Sequence, residues 1–234
     1  MNQKTTRRSF LKTSSEIAAV TAAASTLGGV HTIAQEKEAR LGIGIIGCGG
    51  IMTHHVQGLV GRKEAVEIAW LCDVDPAQIE RMSKKVTDGF QAAAPKRTAH
   101  YEDVINDKNV DAVIIATPHH WHAPIAIMAM QAGKDCYIEK PISHVYNEGH
   151  AIIKASRKYD RIVQQGSQMR NSPVTLKAER LLKDGLIGEV KVAKAWTAEV
   201  RSISQPLPDS TAPAGADYDR WLGPAPDHAF NQHR

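Results

Sequence analysis

The sequence predicts an α/β fold, with a doubly wound parallel sheet over residues 35–165 followed by the start of a second, truncated α+β domain over 166–234. Three observations carry that expectation. Short apolar runs alternate with stretches of helical period between residues 40 and 165; the glycine cluster Gly47-Cys48-Gly49-Gly50 separates the first run from the first helix; and Asp73 ends the second run. Strands are expected at 42–47, 66–73, 97–100, 112–116, 136–139 and 162–165, with helices at 51–60, 76–86, 101–106, 123–132 and 145–159 between them. Several boundaries have a local cause. Asp75 can cap a helix whose first turn holds Pro76, Gly133 can end one in a left-handed conformation, and Asn106-Asp107 breaks the chain before Val110. Beyond 165 a helix is expected at 173–183, closed by Gly185, and the alternation over 189–197 reads as the opening strand of a second sheet. The segment 202–234 has five prolines and no sustained period. It is expected to be loosely ordered, with Val190, Val192 and Trp196 exposed, and the chain is expected to be a fragment of a longer protein.

Composition narrows the class. Among 234 residues, 42% are hydrophobic and 23% charged, which suits a globular domain and excludes a disordered tail, a collagen-like fibre or a polytopic membrane protein. Most of the formal charge of +4 comes from Lys4, Arg7, Arg8 and Lys12, so the basicity is not a nucleic-acid footprint. Cys48, Cys72 and Cys136 have neither disulfide nor zinc spacing and read as small core residues.

The N-terminus reads as an address. Arg7-Arg8-Ser9-Phe10-Leu11-Lys12 resembles the bacterial twin-arginine export signal. An apolar, Ala-rich stretch at 17–30 follows, too short to span a bilayer, and then Thr32-Ile33-Ala34 ahead of a cleavage point before Gln35. The resemblance implies a leader over 1–34, the twin-arginine translocation machinery as a partner, and a mature protein in the periplasm or cell envelope. It also implies a tightly held cofactor, because such cargo travels folded.

The glycine cluster follows a strand and opens a helix, the context of a dinucleotide-binding loop. Gly47 permits the tight turn, and Gly49 with Gly50 and Ile51 lets backbone N–H groups approach a pyrophosphate. Met52 stands where the fingerprint has its third glycine. Asp73, with Val74 after it, stands where a carboxylate meets ribose hydroxyls, which favours NAD over NADP; Arg81 is the one residue nearby that could rescue a 2′-phosphate. The histidines His119, His120 and His122 surround Trp121 in a pattern that fits no common zinc site, so no metal is expected and the segment is read as lining a cleft.

Thr117-Pro118-His119-His120-Trp121-His122, Ala132-Gly133-Lys134 and above all Glu139-Lys140-Pro141 resemble the Gfo/Idh/MocA oxidoreductases over about residues 40–200. The resemblance implies a Rossmann domain, NAD as cofactor and Lys140 as the catalytic residue against nicotinamide and substrate. It implies further cofactor contacts from Thr117, Pro118, His119, His122, Glu139 and Gln168, and substrate contacts from Lys140, His120 and Arg170. A cis Lys140-Pro141 bond belongs to the same implication. The expected reaction is hydride transfer between NAD and a sugar, cyclitol or derivative, by a homo-oligomer when full length. Two alternatives stay open: an NAD-retaining glycosidase working by transient oxidation and elimination, and a cofactor-binding module without turnover. The family's catalytic Asp/His helix has no convincing counterpart before residue 234; an ordered tail would direct attention to Asp217, Asp219 and His228.

Overall fold

The structure, a computed structural model, describes residues 40–196 and 207–232. The expected leader with its twin-arginine motif lies outside the described residues, as do Thr197 and Ser202.

Six strands form one sheet: β1 (Leu41–Ile46), β2 (Val66–Cys72), β3 (Lys96–Thr98), β4 (Ala112–Ile115), β5 (Asp135–Ile138) and β6 (Val163–Gln165). All pairs are parallel and the order is β3-β2-β1-β4-β5-β6. The crossovers are α1 (Gly50–Leu59), α2 (Pro76–Gly89), α3 (Tyr101–Asn106), α4 (His119–Gln131) and α5 (Tyr146–Tyr159).

Strand alternation divides the core in two. Ile43, Ile45 and Ile114 join Met52, Val56, Ile79 and Met82 of α1 and α2 on one face of the sheet. Ile46, Val113 and Ile115 join Val104, Ala126, Met130 and Ile152 of α3, α4 and α5 on the other. Burial on both faces explains why these strands read as continuous apolar runs. Met52, at the third fingerprint position, is fully buried in the first of these cores, so here the helix packs on its side chain instead of drawing close through a glycine. The three thiols are buried in the same cores, and desolvation pushes Cys72 and Cys136 up to about 12.

Local signals act as their chemistry requires. Asp75 accepts from the Ala77 N–H at the start of α2, and Gly133 takes φ 81 after α4. α4 starts a turn earlier than its apolar pattern suggests, because the Trp121 N–H closes on the Pro118 carbonyl at 3.0 Å. At the amino edge of the sheet, buried Lys134 donates to the carbonyls of Asp107 (2.7 Å) and Val110 (2.6 Å), tying the α3–β4 turn to β5.

Beyond β6 two expectations are corrected. Residues 189–196 form no strand, because no neighbouring strand among the described residues supplies the ladder partners, while Val190, Val192 and Trp196 are exposed as expected. The expected loose tail is also not what its described part, 207–232, adopts. It contains a short helix, α7 (Tyr218–Leu222), following α6 (Pro173–Lys183) in the chain, and it is bonded to the nucleotide-binding side of the sheet.

Candidate functional site

β1 and β4 are neighbours at the centre of the sheet, yet α1 and α4 leave them toward opposite faces, so a crevice opens at their carboxyl ends. Gly47 turns the chain there with φ 91, and a Cβ on it would lie 2.6 Å from the Ala116 carbonyl carbon and oxygen. Its N–H is spent on the Cys72 carbonyl at 2.8 Å. Cys48, within the expected cofactor loop, also has its N–H occupied: it donates to Asp73 Oδ2 at 2.7 Å, while Asp73 Oδ1 accepts from Asp75 N–H at 3.0 Å. Asp73 thereby pins the glycine turn to the end of β2. Burial pushes its pKa upward, more than these backbone hydrogen bonds pull it down.

The free donors lie one residue on. Gly49 precedes α1 without any side-chain cap, no acidic residue occupies the first turn, and a Cβ on Gly49 or Gly50 would meet nothing within 4 Å. Across the crevice the Thr117 hydroxyl is buried without a hydrogen-bond partner. Uncapped N–H groups, open space over two glycines and an orphaned hydroxyl together suit an anionic, hydroxyl-bearing ligand such as a dinucleotide. A cavity of about 460 Å³ continues from Gly49 and Thr117 past Asp73, Val74 and Pro118.

At β5 the carboxyl edge carries a second cluster. Glu139 is buried, and its carboxylate accepts from His55 Nε2 (2.8 Å), from Gln168 Nε2 (3.1 and 3.2 Å) and from the Lys140 N–H (2.9 Å). Burial alone would push Glu139 up; the bonds from Gln168, Lys140 and His55 outweigh it and hold the carboxyl below its ordinary value. Both Glu139 and Gln168, expected as cofactor contacts, are therefore turned toward each other and toward α1. Next to them the Lys140-Pro141 bond is cis and the Lys140 side chain is exposed. The pKa of His119 is lowered, by burial first and then by the nearby His122 and Lys140 charges, which leaves it a neutral ring at neutral pH.

Two histidines depart from expectation. His122 is only 1% exposed, with Nδ1 2.7 Å from the Pro141 carbonyl and Nε2 2.9 Å from the Thr117 carbonyl, so it joins the loops after β4 and β5 from beneath instead of facing a ligand. His120, expected on the substrate, bonds the Trp221 carbonyl through Nε2 at 2.9 Å. Arg81 is likewise engaged, on the Cys48 carbonyl (2.8 Å) and Gln78 Oε1 (2.7 Å). Arg170 is exposed between β6 and α6. Asp217, a fallback candidate for the base, caps α7 by accepting from Arg220 N–H and sits beside Val74; Asp219 and His228 are exposed.

Sequence reasoning missed His55, which meets Glu139 across 84 residues, and the aromatic residues Trp121, Tyr218 and Trp221 on the cavity wall. His55 did carry one signal, a position one turn into the helix that the glycine loop opens.

Residues 41–167 match the GFO_IDH_MocA family, described as an oxidoreductase family with an NAD-binding Rossmann fold. Among curated proteins the chain is 26% identical over 190 residues to an inositol 2-dehydrogenase/D-chiro-inositol 3-dehydrogenase of Lactiplantibacillus plantarum, covering 77% of this chain and 51% of that one. It is 29% identical over 151 residues to a glycosyl hydrolase family 109 protein of Shewanella pealeana, covering 63% and 33%. The crystal structure of myo-inositol 2-dehydrogenase from Lactobacillus plantarum superposes with a TM-score of 0.57 at 27% identity, over 64% of this chain and 43% of that one. The chain thus spans a third to a half of the length of these relatives.

Proposed function

The chain belongs to the Gfo/Idh/MocA oxidoreductases through its NAD-binding Rossmann domain, and from that premise we propose that it serves an NAD-dependent dehydrogenase of a sugar, cyclitol or derivative. One observation carries the proposal: the uncapped glycine turn and the exposed Lys140 lie at the same carboxyl edge of one parallel sheet. NAD, when bound, supplies a hydride acceptor at its nicotinamide C4. The N–H groups of Gly49, Gly50 and Ile51 hold its pyrophosphate, the Thr117 hydroxyl adds a hydrogen bond, and Asp73 accepts from the ribose hydroxyls. Lys140 donates to the substrate oxygen that loses its proton and stabilises the negative charge developing there. His119 offers that substrate a neutral ring nitrogen. His122, Glu139, Gln168 and His55 act on Lys140 indirectly, by fixing the loops on either side of it. The hydroxyl proton passes to a base, the role that the resemblance gives to an Asp/His helix outside the Rossmann domain.

The Shewanella relative favours a second reading, glycoside cleavage with retained NAD. Assaying the full-length protein with inositols, sugars and aryl glycosides separates the two. Accumulating NADH with an oxidised polyol supports the dehydrogenase, whereas a released aglycone without net NADH overturns it in favour of the glycosidase. We propose further that residues 1–34, which resemble a twin-arginine export signal, direct this chemistry to the periplasm or cell envelope.

Asp73 makes the cofactor preference testable. Its carboxylate repels a 2′-phosphate, and Arg81 is already bonded, so NAD should bind at least about tenfold more tightly than NADP, with Asp73→Ser narrowing the gap. A wild-type preference for NADP would refute the assignment. Because the folded-state pKa is raised, the buried charge costs the empty fold stability once the pH rises through that pKa, and the cost vanishes below the unfolded value. NAD affinity has the opposite dependence. It should fall on acidification, starting at a higher pH than an unperturbed aspartate would give, since only the ionised form accepts from both hydroxyls.

A further inference from the structure

The part of the chain that sequence patterning leaves without structure is seated on the cofactor cavity. Asp217 N–H donates to the Val74 carbonyl at 3.0 Å, directly after Asp73. Trp121 Nε1 donates to the carbonyls of Arg220 (3.1 Å) and Trp221 (3.2 Å), and the Arg220 guanidinium pairs with Glu102 at 3.3 Å. Leu222 is buried, and Gly223, at φ 48, lies so close against the Trp121 ring that a Cβ would overlap it. The segment is therefore tied to the loop after β2, to α3 and to the start of α4, which are three sides of one opening.

What it brings there is aromatic. Tyr218 stacks on Trp221 with centroids 5.6 Å apart and planes at 18°, Phe230 meets Tyr218 edge-on at 5.3 Å, and Trp221 meets His120 edge-on at 5.7 Å. Tyr218, Trp221 and Phe230, with Tyr101 and Trp121, wall the cavity of about 460 Å³ whose floor holds Gly49 and Asp73. A wall of π-faces beside a ribose-binding carboxylate suits a planar nucleobase, which stacks on aromatic side chains.

We propose that residues 212–230 complete the NAD site by forming the outer wall of its adenine pocket, with Trp221 and Tyr218 as the base-contacting side chains. This rests on reading the site as an NAD site. The wall lies at the Asp73 end of the crevice, away from Lys140, so it governs cofactor retention and leaves the substrate end open.

Titration calorimetry on the full chain with ADP, NAD and inorganic pyrophosphate tests it, because pyrophosphate reports the glycine turn alone. Trp221→Ala should weaken ADP and NAD by about tenfold and leave pyrophosphate within about twofold, and Trp221→Phe should restore most of the loss. Unchanged ADP affinity in Trp221→Ala overturns the proposal, as does an equal loss of pyrophosphate, which would mean that the segment acts only by holding the fold together. If Trp221→Ala does not fold, Tyr218→Ala is read by the same criteria. A wild-type chain that binds pyrophosphate but neither ADP nor NAD takes down the NAD reading itself; NAD bound normally by both alanine variants takes down the wall alone.

Discussion

Replacing Lys140 with alanine should lower kcat of the full-length enzyme by about 10²- to 10⁴-fold, while NAD affinity stays within about twofold of wild type. The division follows from the geometry. Among the described residues the Lys140 ammonium makes no ion pair, and its side chain does not line the adenosine-side cavity, so neither the fold nor the adenosine half of the dinucleotide loses a contact. In the proposed role, what disappears is a donor whose interaction strengthens as negative charge grows on the substrate oxygen, and such a donor shows in kcat more than in KM. Lys140→Arg should recover only part of the rate, since a planar, bulkier guanidinium cannot occupy the place of a point-like ammonium. Steady-state kinetics with NAD titrations check both numbers; normal turnover in Lys140→Ala would remove the residue from the reaction.

Gly47→Val and Gly49→Ala should separate fold from cofactor at neighbouring positions. A side chain on Gly47 collides with the Ala116 carbonyl at 2.6 Å and with the Thr117 N at 2.8 Å, and φ 91 is itself strained for valine. The turn between β1 and α1 must shift, so Gly47→Val should lose NAD binding by about 100-fold or more and destabilise the domain by about 1–3 kcal/mol. At Gly49 a Cβ meets nothing within 4 Å, so Gly49→Ala should melt within a degree or two of wild type. It should nevertheless bind NAD about tenfold more weakly, because the new methyl occupies space that the backbone leaves open to the pyrophosphate. Parallel melting and NAD titrations decide this, and equal NAD affinity in Gly49→Ala and wild type would contradict the pyrophosphate reading.

Repeating local chemistry made the sheet, its crossovers and the glycine turn legible in the chain. Apolar runs such as 43–46 and 112–115 specify strands buried on both faces; Asp75, Pro76 and Gly133 mark helix ends; Gly47 and Asp73 foretell a nucleotide crevice because they recur at a spacing that one strand and one helix impose. Each of these signals lies within a few residues of the feature it creates. The rest arises between residues far apart in sequence, where no period exists. His55 and Glu139 meet across 84 residues, and Trp121 and Trp221 across 100. His122, His120 and Glu139 look like ligands when only their chemistry is considered, but packing turns the two histidines onto carbonyls and Glu139 onto His55 and Gln168, since a buried polar atom takes whichever partner the fold brings first. The tail at 207–232 has no periodicity because it makes no layer of its own. Its order comes from carbonyls, a glycine and aromatic faces that fit a surface already formed by β2, α3 and α4, and that complementarity exists only once those elements are packed.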